Sequence, residues 1–146
     1  MTVNEAIATI TRCSHTFQTV HGPVTVINTT PHPITFQDVD GTLVSIPSDP
    51  ALLVNATPVT EPDYSNPLLV HTTFQTTPKQ RQLVADIWHI WLYKIFPKVD
   101  GQLAIVGSMI AVNAYPGRVV GMVPVPGYER VAPAEKRMRC DCFTVA

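Results

Sequence analysis

Charge is what this chain has least of. Only 14% of its 146 residues are Asp, Glu, Lys or Arg, against roughly 25% in an average globular domain, and the formal net charge is −1. Such a surface offers no basic stripe for a phosphate backbone, which argues against an electrostatic nucleic-acid binder. It also lacks the like-charge repulsion that keeps small domains apart, so the composition favours a homo-oligomer or a place in a larger protein assembly. Long apolar runs are missing as well. Nothing approaches the roughly 20 residues of a membrane-spanning helix, and the opening MTVNEAIATIT has no basic region and no secretory cleavage site. The expectation is a cytoplasmic protein with no membrane partner.

Cysteine is scarce and odd in number: Cys13, Cys140 and Cys142. That pattern suits a reducing compartment. On one strand Cys140 and Cys142 would point the same way yet lie too far apart for an unstrained disulfide, and no second close Cys/His pair completes a zinc site. No metal or cofactor is expected. A nucleophile elbow, a phosphate loop and metal-spaced histidines are all lacking, so the chain reads as non-enzymatic.

What is present is a 45% hydrophobic content, enough core for one domain over residues 1–146, with 1–22 as an N-terminal extension packed on it. Thr2 and Glu5 form a capping box for a short helix over about 3–12. Strands are expected at 14–20, 24–36 (broken by a corner), 42–46, 51–56, 68–74, 102–106, 118–126 and 137–145, with loops at 57–67 and 128–136. One long helix stands out over about 78–96. Thr77 caps it, Pro78 takes its first position, and apolar residues recur at three and four. That apolar stripe spans more than half the circumference, so Trp88, Trp91 or Tyr93 is expected to face a partner or a long loop. Ser108 caps a short helix over 109–115, with continuous strand as the alternative. The fold class is α+β: a β-rich antiparallel sheet or small barrel carrying one long helix.

The most distinctive stretch is Val24 to Phe36. In its Thr-Pro-His-Pro corner, Pro31 and Pro33 fix their own backbone and push Thr30 and His32 toward extended conformations. Asn28, Thr30 and His32, spaced by two, can then share a face and read a ligand; alternatively Asn28 and Thr30 bond the local backbone as Asx and Ser/Thr turns do.

The segments Val26-Ile27-Asn28-Thr29-Thr30-Pro31-His32-Pro33-Ile34, Ala104-Ile105-Val106-Gly107-Ser108 and Tyr115-Pro116-Gly117-Arg118 resemble, in that order, the short N-L-T-P-H proteins of bacteriophages and bacteria. The resemblance covers about half of the chain. Some twenty residues precede the first segment here, Val119 and Val120 follow Arg118 where acidic residues are usual, and the long helix resembles an insertion. It implies a small β-rich fold and a phage-type accessory role in the host cytoplasm. With Asn28, Thr30, His32, Ser108 and Arg118 as candidate ligand-binding residues, the occupant would be a small anionic or nucleotide-like molecule, or a host protein. The alternative is a structural component of a virion or other large assembly.

Overall fold

The computed structural model describes residues 1–146. Thr2 accepts from the Glu5 amide and Glu5 reaches back to the Thr2 amide, so the capping box starts α1 at Val3–Arg12 as expected. Cys13 then turns the chain into β1 (Ser14–Thr19), and a tight reversal at Gly22, whose φ of 94° suits glycine alone, returns it as β2 (Gly22–Asn28). The corner follows. It leads into β3 (Ile34–Gln37), the Asp-Gly turn and β4 (Leu43–Ile46).

Two stretches depart from the sequence expectation. Residues 51–56 are not a strand. Asp49 accepts from the Ala51 amide and Pro50 takes the first position of a single 3-10 turn, Pro50–Leu52. The donors beyond it go elsewhere, the Val54 amide to the Thr29 carbonyl and the Asn55 amide to the Gln80 side chain, so no ladder forms. Residues 57–67 in turn are not all loop: β5 (Thr57–Pro62) pairs with β6 (Val70–Gln75) as a separate two-stranded ribbon. Proline is tolerated because each strand of such a ribbon has a free edge, and Pro58 and Pro62, four apart, both turn their missing donors outward.

The helix α2 (Pro78–Ile90) continues past its expected end. A π-helical turn over Trp91–Ile95 leads into a last turn, α3 (Phe96–Val99), and Asp100 closes it in the left-handed region. The cause is Pro97. In an unbroken α-helix its ring would strike the Tyr93 carbonyl, whereas the extra residue of the π turn restarts the helix so that Pro97 sits where no donor is needed.

Strands β7 (Gln102–Val106), β8 (Val119–Pro124) and β9 (Met138–Thr144) complete one seven-stranded sheet in the order β1-β2-β7-β8-β9-β3-β4. The short helix α4 (Met109–Ala114) links β7 to β8. The α+β class stands, and the sheet curls into a nearly closed barrel. Its pairing is mixed: β2–β7, β7–β8 and β3–β9 are parallel, because α4 and the long excursion through α2 act as crossovers.

Alternation along the shared strands makes two cores. Val24 and Val26 of β2 with Ala104 and Val106 of β7 fill the barrel interior alongside Phe17, Phe36, Ile46 and Cys140. Ile27 and Ile105 point the other way, onto Ile10, Val84, Ile87, Trp91, Val112 and Tyr115 under the helices. No helix is long and apolar enough to cross a membrane.

Candidate functional site

The corner residues are committed to structure. Asn28 follows Val24 and Val26 on the interior face of β2 and is fully buried. Its amide nitrogen lies 2.9 Å from the His32 carbonyl and 3.2 Å from the carbonyls of Ile46 and Pro47. Its oxygen accepts from the Thr30 amide at 2.9 Å and hydroxyl at 2.7 Å. Since β4 is one edge of the sheet and β2 lies next to the other, this one side chain closes the end of the barrel. Thr29 adds a second tie: its hydroxyl donates to the Val106 carbonyl at 2.7 Å. Of the His32 residue the network uses only the carbonyl, and its ring is exposed.

Ser108 is likewise spent, accepting from the Ala111 amide at the start of α4. Arg118 stands apart, on the helix-bearing face. It leaves a turn in which its amide bonds the Tyr115 carbonyl at 3.0 Å, with Pro116 and Gly117 at the centre and Gly117 at φ 78°, the geometry of a type II turn. The structure therefore gathers Asn28, Thr30 and the His32 backbone into one knot and places Arg118 on the opposite face of the sheet.

Arg118 belongs to a cleft that the sequence did not announce. Its guanidinium lies 5.9 Å from the Trp88 ring centre, and Ala85, His89, Leu103 and Gly117 complete a hollow of about 320 Å³. His89 meets Trp88 edge-on at 5.4 Å and stacks on Tyr93 at 6.4 Å with rings 6° apart. The His89 Nδ1 lies 2.8 Å from the Ala85 carbonyl, which can only accept, so Nδ1 carries a proton and donates. No carboxylate lines the cleft, and Arg118 takes part in none of the three ion pairs. The available signal was spacing: His89 and Tyr93, four apart on the long helix, share a face, with Trp88 beside them. Trp91, a candidate for that same outward face, is instead buried, its ring 5.3 Å from Phe96; Trp88 is half-buried and Tyr93 exposed.

The Ser65, Asp63 and His71 cluster makes no catalytic triad. At the β5–β6 tip the Ser65 hydroxyl donates to Asp63 at 2.6 Å while His71 Nε2 approaches the other Asp63 oxygen at 3.1 Å. A nucleophile needs the histidine between serine and aspartate; here the aspartate is in the middle and activates nothing. No group of three or more His, Cys, Asp or Glu is placed to hold a metal.

Compared with protein-family models, curated proteins and solved structures, the chain matches none.

Proposed function

We infer that the chain is a non-enzymatic accessory protein of the phage type, a β-rich binding module that self-associates and takes a small anionic, nucleotide-like ligand. The observation that carries the ligand is Arg118: an arginine free of any carboxylate, lying over an indole at the mouth of a cleft lined by rings. A guanidinium offers paired donors to phosphate, and Trp88 and His89 offer flat faces and edges to a base. This moves the binding reading from the Thr-Pro-His-Pro corner to the α2–β8 face.

Titration with nucleoside mono- and diphosphates, followed by Trp88 fluorescence, tests it. Binding is expected in the parent protein and should weaken by roughly tenfold to a hundredfold in Arg118→Ala, the loss of one charge-assisted contact, with an unchanged melting temperature. Parent and variant titrating alike would end this reading. A second reading, a structural part of a virion or other large assembly, is favoured by one observation, the solvent-facing apolar tip of the β5–β6 ribbon.

A further inference from the structure

The β5–β6 ribbon stands outside the main sheet of its own chain. It forms a separate sheet, and its main contact with the body is where β6 passes α4. Two-stranded ribbons are marginal by themselves, yet this tip is tied tightly. Asp63 accepts from the Ser65 amide and hydroxyl and pairs with His71, Asn66 accepts from the Leu68 amide, and the Asp63 amide bonds the Leu69 carbonyl. What these bonds hold out is apolar: Tyr64 is 96% exposed and Leu68 89%, with Leu69 and Val70 beside them. A rigid loop presenting large apolar side chains binds at little cost in conformational entropy.

The body carries a matching unfilled surface. Between α1 and α2 with its π turn runs a groove that widens into two hollows of about 750 and 500 Å³, both walled by Ile90. Ile7, Leu83 and Ile90 are among its apolar lining, and no residue of the chain's own ribbon enters it. Charge fits as well. The end near the π turn carries Lys94 and Lys98 and no carboxylate, whereas residues 57–75 hold Glu61 and Asp63 and neither lysine nor arginine.

Area points to the size of the contact. A monomer of 16.0 kDa typically exposes about 7,400 Å². This chain exposes 8786 Å², an excess of about 1,400 Å², above the roughly 800 Å² per partner that a stable interface buries. We propose that the β5–β6 ribbon is a docking arm whose occupant is a second copy of this chain, its Tyr64–Leu68 tip seated in the α1–α2 groove and Glu61 facing Lys94 and Lys98. The contact joins unlike surfaces, so it reciprocates into a two-fold dimer, closes a ring or, where the rotation does not close, runs on as a filament.

The inference rests on the self-association in the reading above; the groove adjoins the Arg118 cleft at His89, which lines both, but does not include Arg118 or Trp88. Sedimentation of the full chain across micromolar concentrations tests it, with thermal melts as the folding control. The parent is expected to be a multimer. Leu68→Ser with Leu69→Ser should raise the dissociation constant by roughly a hundredfold or more, since two leucines lose their burial. Lys94→Glu with Lys98→Glu should weaken it by roughly fivefold, and adding Glu61→Lys should recover part of that loss. A parent that stays monomeric overturns self-association altogether. A multimer unchanged in the arm variant overturns the arm while leaving self-association standing.

Discussion

At the scale of single residues, the corner divides into a neighbour that holds the fold and one that does not. Asn28 is buried with every amide hydrogen facing a carbonyl and its oxygen doubly used. Asn28→Ala strands those carbonyls at the barrel end and should cost about 2–4 kcal/mol, above an ordinary single hydrogen bond because several partners lose their bond together. His32→Ala removes only an exposed ring and should fall within about 0.5 kcal/mol. Chemical denaturation of both variants beside the parent makes the comparison, and equal losses would contradict the network as drawn. The sequence displayed the prolines, the spacing and the local-bonding alternative at this corner. It could not display that Asn28 reaches Ile46 and Pro47, since that contact joins residues eighteen and nineteen positions apart.

At the scale of elements, legibility followed local chemistry. Capping pairs announced α1, α2 and α4 because both partners sit within three residues of each other. The π turn went unread because it answers a conflict between Pro97 and a helix that the core needs longer, and only packing of Trp91 and Phe96 reveals that need. Of the arm, β6 was legible as the strand expected over 68–74, but β5 went unread because its prolines resemble loop punctuation until the free edges of a two-stranded ribbon are known. Its tip also predicts a pH response. Hydrogen bonds from Ser65, with a smaller contribution from His71, hold the Asp63 carboxyl below the ordinary carboxylate range. A carboxyl with a depressed folded pKa adds stability above its unfolded value, roughly 3.9, and loses it as pH falls through the lower folded value. Hydrogen exchange at the Asn66 and Leu69 amides should therefore quicken below about pH 4 in the parent. In Asp63→Asn it should be fast already at neutral pH, with little change on acidification. Exchange in the parent that ignores pH beyond its intrinsic chemistry would show that the tip is held by something else.

At the scale of the whole molecule, the question is whether two cores make one folding unit. The barrel interior and the helix-side core share no side chain, but they share strands: β2 sends Val24 and Val26 one way and Ile27 the other, and β7 does the same with Ala104 and Val106 against Ile105. Melting either core frees the register that the other depends on, so the two should unfold together. The cysteines supply one reporter for each. Cys13 lies in the helix-side core and Cys140 in the barrel, both buried, and burial pushes each thiol pKa up, so little thiolate forms while the fold is intact. Cys142 is only half-buried and should react first with a thiol reagent in native buffer. Across a denaturant series, Cys13 and Cys140 should then become reactive over the same range, at the concentration where helical signal is lost. If Cys13 reacts well before Cys140, the helices come away from a barrel that survives without them, and the shared strands do not couple the two cores.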